Sequence, residues 1–415
     1  MQHRTSVLAA GAFAAACLAS LFSISCAPRE TSLRREQLFS LGYGPAEDQI
    51  DLFQLGDALP QKNRIAMREG IFYVSNGNGA KVTRFSSFGD VLSMIYDPER
   101  NPAPHLLSPP EAEGSESAAG RRAIPHPFRS IGEVAVDSRQ RLYVEDRLPA
   151  ERRVQDKDSS ALLDHIVLRF DKDGKYLDYL GQEGLGGTPF PYISGLFATS
   201  SDDCVVVSMT QGAWLAHWFD SEGSVLASVK LSRDALPAPE KGGSTIASLD
   251  RIVPDPGSRS LLLKVDYYKE SVDPATKSGT GIEFVSSWAF RMDPRDGSYP
   301  ERWQVPTEER VSKTGSEGAS IRYVQIPQFI GAAGNYLFFM GADDEGKTYV
   351  TSLERTTRDA RRFQIDIGED ESYYDAFFIS REGILCALLG TKFEARFVWW
   401  RFDKVLAGLT AGFSR

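Results

Sequence analysis

The sequence predicts an all-β chain: a six-bladed β-propeller of four-stranded antiparallel blades, closed by an N-terminal strand that completes the last blade. Three observations lead there. One phrase recurs, as "RFSSFGDVLSMIY" at Arg84 to Tyr96, "RFDKDGKYLDYLG" at Arg169 to Gly181 and "WFDSEGSVLASVK" at Trp218 to Lys230. Each copy ends an alternating run on an aromatic, turns through polar residues with a glycine, and enters a second run, which is the pattern of a hairpin. Counting outward, each phrase sits inside a set of four short strands, and such sets can be followed six times along the chain. The sixth set lacks a convincing fourth strand, while "QLFSLGYG" at Gln37 to Gly44 stands spare at the front and matches "YLDYLGQEG" of the second set. Closing a ring this way covers edges that would otherwise template aggregation, and four-stranded sheets around a central channel are propeller blades. A multi-domain β-sandwich leaves the displaced strand unexplained.

The chain has 415 residues, 42% hydrophobic and 11% aromatic, enough for a large core. Its net charge of −9 argues against capture of a nucleic-acid backbone by bulk electrostatics. Residues 1–25 read as an export signal: a basic start, an apolar stretch from Val7 to Phe22, and small residues before Cys26. The run is shorter than the ~20 apolar residues of a membrane span. It resembles a bacterial lipoprotein signal, with Ser23 where leucine is usual. The resemblance makes Cys26 the lipidated first residue, membrane lipid a partner, and the bacterial cell envelope the location, periplasm-facing or at the outer membrane. Residues 26–34 are then a tether. Cys204 and Cys386 lie in apolar runs of the third and sixth sets, across the ring from each other. They are expected to be free, because a disulfide needs Cα atoms within about 7 Å.

After the closing strand at 37–42, the blades are expected at about 63–97, 130–181, 194–231, 247–306, 324–368 and 373–403. The recurring phrase also contains Asp171, Asp173 and Gly174, a fragment of a calcium loop. An EF-hand, however, needs an acid five positions before its glycine, and Arg169 stands there.

"VAVDSRQRLYVEDR" followed by "IVLRFDKDGKYLDYLG" resembles the NHL repeat, and "IFYVSNGNGAKVTRFSSFG" is a looser copy. The whole is similar to a bacterial NHL-type propeller lipoprotein. That resemblance implies a binding scaffold and no reaction.

In a blade, first-to-second and third-to-fourth turns share one face; second-to-third loops and blade crossings share the other. The first set is short throughout. The second set is long: Asp97 to Arg129, Arg147 to Asp164, Ser232 to Ile246, Lys269 to Gly281 and Pro306 to Ile321. Long loops on a rigid scaffold are where binding surfaces lie, so a protein or glycan partner is expected there. Asn76, Asp146, Arg147, Asp266, Tyr267 and Asp343 sit at the long-loop ends of second strands, and Trp214 is placed as an exposed anchor. Asn and Asp at such positions organise turns more often than they bind ligands. "PHPF" at Pro125 to Phe128 and "TPFPY" at Thr188 to Tyr192 either plug the space between blades or face a partner. The alternative function is a metal-dependent enzyme at the channel mouth, lactonase-like or a sugar dehydrogenase. For it Glu133 and Asp375 are inner-strand acids, and calcium is the possible ion. None of the five histidines falls on an inner strand, and no catalytic motif or metal-ligand spacing is present.

Overall fold

The computed structural model describes residues 31–53, 61–108, 121–239, 245–272, 276, 278–314 and 319–406. The segment read as an export signal and Cys26 lie outside these residues. Alternating side chains and glycine turns produce six sheets, each built on four antiparallel strands and four of them carrying a short fifth strand. Blade 1 comprises Asn63–Arg68, Ile71–Asn76, Lys81–Phe85 and Val91–Tyr96; blade 2 comprises Val134–Val136, Leu142–Arg147, His165–Phe170 and Tyr176–Gly181. Blade 3 is built from Tyr192–Ala198, Cys204–Met209, Ala213–Phe219 and Val225–Ser232. Ile246–Pro254, Leu261–Val272, Gly279–Met292 and Glu301–Gln304 form blade 4. Blade 5 holds Gln328–Ala333, Tyr336–Ala342, Thr348–Glu354 and Ala360–Ile365, and blade 6 holds Tyr374–Ile379, Ile384–Gly390 and Glu394–Arg401. The fourth strand of blade 6 is Arg35–Tyr43, antiparallel to Glu394–Arg401 from Arg35↔Trp400 to Gly42↔Glu394. The first strands of neighbouring blades touch in a closed cycle, with blade 6 meeting blade 1. The fold is a six-bladed β-propeller.

The core is divided among the spaces between blades. Phe39, Phe72, Phe85 and Phe397 fill the space between blades 6 and 1. Corresponding clusters lie between blades 1 and 2, 2 and 3, 3 and 4, 4 and 5, and 5 and 6. The recurring phrase supplies this packing. In its three copies the register between third and fourth strands shifts at Arg84/Phe85, Arg169/Phe170 and Trp218/Phe219. A bulge of this kind re-aims one side chain, and all three phenylalanines are buried. The turn that follows places Gly89, Gly174 and Gly223 at positive φ, where only glycine is unstrained. Asp171 Oδ1 accepts the amides of Asp173 and Lys175, both at 2.9 Å, and Asp220 repeats the arrangement with Glu222 and Ser224. The acids of the phrase are turn acceptors.

The aromatics between prolines divide in the same way. Phe128 is packed between blades 1 and 2 and Phe190 between blades 2 and 3, whereas Tyr192 remains exposed. Cys204 and Cys386 are free and buried, and burial pushes both thiols up.

Two features depart from the sequence reading. The long connections are partly strand. Lys269 to Gly281 continues the hairpin of blade 4 as far as Val272↔Gly279. Glu308–Thr314 pairs with Ala319–Gln325, and Val154–Gln155 pairs with Leu162–Leu163. These pairings escaped the sequence reading, because two-stranded ribbons standing in solvent need no alternation toward a core. Within the tether, Thr31–Leu33 adds a parallel fifth strand to blade 5. Among the described residues no helix is long and apolar enough to cross a membrane.

Candidate functional site

The mouth of the channel on the long-loop face gathers charged residues from the entry to blade 1 and from blades 1, 2 and 3. Lys62 precedes the first strand of blade 1, and its Nζ donates to Glu145 Oε1 and Oε2 at 3.0 and 2.8 Å and to the carbonyl of Ile193 at 2.5 Å. Glu145, buried on the second strand of blade 2, also accepts the amide of Glu133 at 2.7 Å and faces His165 Nδ1 at 2.7 Å. A Cβ at Gly132 would stand 2.2 Å from Glu145 Oε2, so a larger residue there would displace this carboxylate from its place beside Lys62. Burial opposes ionisation of Glu145, but Lys62 and His165 hold its carboxyl below the ordinary range. Glu133 accepts from Arg64 Nε at 2.9 Å and lies 3.7 Å from Lys62 Nζ. The ring of Tyr192 sits 4.1 Å from Lys62 Nζ, a cation–π distance. Blade 4 holds a second charged group, in which buried Lys264 binds Asp266 at 2.8 Å and Asp250 at 3.2 Å.

Chemically, the mouth is a compensated network. Glu133 and Glu145 already face Lys62, Arg64 and His165, and among the described residues no three His, Cys, Asp or Glu side chains gather as a metal site. Asp375 is exposed on the first strand of blade 6. Lys62, Glu145 and His165 were not among the site residues expected from sequence, and Tyr192 was placed only as facing a gap between blades or a partner. A charged residue at position 145 directly after the apolar run Leu142 to Val144 was the available signal. The partners lie in other strands and were not visible from it.

The binding candidates read from sequence hold connections in place. Asn76 is buried, donates to the Asp51 carbonyl at 2.6 Å and to Asn63 Oδ1 at 2.7 Å, and accepts the Asp51 amide at 3.0 Å. It clamps the N-terminal segment onto blade 1. Asp146 Oδ1 accepts the amides of Ser130 at 2.7 Å and Arg129 at 3.1 Å, fixing the crossing into blade 2. Arg147 is half-buried at the end of its strand, opposite His165. Asp266 binds Lys264 and Ser287, and the hydroxyl of buried Tyr267 donates to the Pro237 carbonyl. Asp343 accepts the amides of Glu345 and Lys347 at 3.0 and 2.9 Å and the Tyr349 hydroxyl at 3.1 Å. Trp214, expected as an exposed anchor, is half-buried against the core between blades 3 and 4. Asn76, Asp146, Asp266 and Asp343 thus serve local geometry. The mouth network forms beside them rather than through them.

Burial pushes the Asp146 carboxyl up to about 6, against the pull of the Ser130, Arg147 and Arg129 amides. A carboxyl raised on folding favours the fold fully below its unfolded value of about 3.9, and the benefit disappears as pH rises through about 6. Asp146→Asn should therefore gain on the native chain by roughly 2–3 kcal/mol between pH 4 and pH 7.5 in urea unfolding. An unchanged difference at the two pH values would refute the assignment.

No family model matches the chain, and no curated protein does. Among solved structures it is similar to the gluconolactonase XC5397 of Xanthomonas campestris, with 12% identity and TM-score 0.37, covering 82% of this chain and 86% of that one. The β-propeller domain of the Trilobed protease of Pyrococcus furiosus shares 8% identity at TM-score 0.39, covering 82% and 94%. The extracellular domain of BT4673 from B. thetaiotaomicron shares 12% at TM-score 0.32, and this chain spans 40% of that one. Likeness at this level does not bear on function.

Proposed function

We propose that this chain is a lipid-anchored binding protein of the bacterial cell envelope, of the NHL-repeat propeller type, that engages a protein or glycan partner through its long-loop face. One observation carries the reading. The long connections open on a single face, and there apolar side chains stand in solvent: Val154 and Leu162 on the paired strands of blade 2, Ile282 on the hairpin of blade 4, and Phe393 in the second-to-third loop of blade 6. Exposed apolar residues on a rigid frame are a binding surface. The opposite face offers short turns.

The competing reading is a divalent-metal enzyme at the channel mouth. Calcium takes six to eight oxygen ligands, whereas the mouth carboxylates Glu133 and Glu145 are engaged by cations. The test is site-specific photocrosslinking in cells from positions 282 and 393, with position 358 in a short turn as comparison. The same discrete partner captured from both long-loop positions and absent from 358 is the expected result. Capture from 358 alone would overturn the assignment of the face. Stoichiometric calcium removable by EDTA with loss of stability would favour the enzyme.

A further inference from the structure

We propose that the gap between blades 4 and 5 holds a binding pocket for a hydroxylated monocarboxylate of single-sugar size, the chemistry of a uronic acid. The pocket lies under the long connection that joins the two blades. It names one ligand chemistry for those connections and rests on the reading above for their binding role.

The pocket follows from how the gap is filled. Trp303 and Val305 of blade 4 pack there against Leu337, Phe339 and Leu353 of blade 5. Beyond them blade 4 supplies little, because its fourth strand Glu301–Gln304 has 4 residues, against 8 for Val225–Ser232 in blade 3. Blade 5 continues. Phe339 stands opposite Thr351, Thr351 opposite Arg362, and Gly341 opposite Tyr349. Directly opposed residues share a face of the sheet, so the missing side chain of Gly341 leaves a space beside Tyr349 and Thr351. Pro306, Thr307 and Glu308 wall that space, with Glu308 paired to Gln325 at the foot of the ribbon. The cavity measures about 290 Å³, close to the ~300 Å³ at which small-molecule pockets begin.

The lining selects the ligand. Arg362 pairs with Glu308 and lies 3.6 Å from the centre of the Tyr349 ring. Arg361 lines the same space, is exposed, and makes no hydrogen bond or ion pair among the described residues. Two guanidiniums against one carboxylate leave the lining cationic, in a chain whose net charge is −9. A monoanion matches that excess, and a carboxylate suits the planar fork of arginine. Thr307 and Thr351 bring hydroxyls, while Pro306 and Pro327 give apolar walls. A sugar ring, with hydroxyls at its rim and C–H bonds on its faces, meets both. A fatty carboxylate would leave the hydroxyls unpaired, and inorganic phosphate would leave the prolines uncovered.

The experiment is calorimetric titration of the full chain in detergent. Galacturonate, glucuronate and mannuronate are compared with galactose, glucose and mannose, which keep the ring and lack the carboxylate. At least one uronate should bind about tenfold tighter than its neutral counterpart, and Arg361→Gln, at an exposed site, should erase that preference. Gly341→Leu should abolish binding with melting unchanged. Position 341 is outside the left-handed region, and a Cβ there meets Pro327 at 3.6 Å, an ordinary contact. If leucine unsettles the fold, Arg361→Gln still decides. Tighter binding of trigalacturonate than of the monomer would identify the end of an acidic glycan as the source, and equal binding the free acid. No uronate bound by the native chain, neutral sugars bound equally well, or binding intact in a folded Gly341→Leu would overturn the pocket. The long-loop face as a partner surface is tested separately, by the crosslinks from 282 and 393.

Discussion

Phe39→Ala is expected to lower stability by about 3–5 kcal/mol, the cost of emptying a buried phenylalanine site. Phe39 belongs to the closing strand, and its ring stacks on Phe397 at 4.4 Å with 14° between planes. It also meets the rings of Phe72 and Phe85 of blade 1, both at 5.7 Å. Gly89 approaches from below, where a Cβ would stand 2.8 Å from that of Phe39. The substitution therefore loosens the last blade from its added strand and from the first blade together. For a chain of this size the melting temperature should fall by on the order of 5 °C. Phe88→Ala, at an 85% exposed site, is the matched comparison and should leave melting unchanged. Equal effects from the two would mean that the closure contributes no more than a surface residue does.

Glu145→Ala should cost a similar amount, about 3–5 kcal/mol, because it strands Lys62 and His165 without their shared carboxylate. A carboxyl lowered on folding stabilises above its unfolded value, and the benefit disappears as pH falls through its folded value. The deficit of the variant against the native chain should therefore persist at neutral pH and shrink only in strong acid. Lys62→Met combined with Glu145→Gln gives the decisive measurement. The pair should be more stable than the sum of the single changes by about 0.5–3 kcal/mol. Simple additivity would show that the contact at 2.8 Å carries no energy.

Particular residues show what could be read in advance. The glycine turn and its flanking aromatic predicted hairpins, and the missing sixth-blade strand predicted that the N-terminal strand completes the last blade, where Leu41 stands opposite Ala395, because strand order follows from counting. Depth within the ring was less visible. Phe128 and Phe190, flanked by prolines, gave no sign of whether they faced a blade or solvent, since that depends on the width of a gap set elsewhere in the chain. The mouth network was hidden for a related reason. Lys62 and Glu145 are separated by 83 positions, and period-two alternation says which face a side chain takes but not which residue opposes it.

The strand that shuts the ring precedes blade 1 and pairs with a strand that follows the other five blades. Glu36 and Trp399, joined by a hydrogen bond, are 363 positions apart. During synthesis the ring therefore exists as an open arc, whose final edge stays unpaired until blade 6 has emerged. Contacts this distant in sequence form slowly. A chain halted before Glu394 would keep its partnerless leading segment and be exposed to proteases and to other nascent copies of itself.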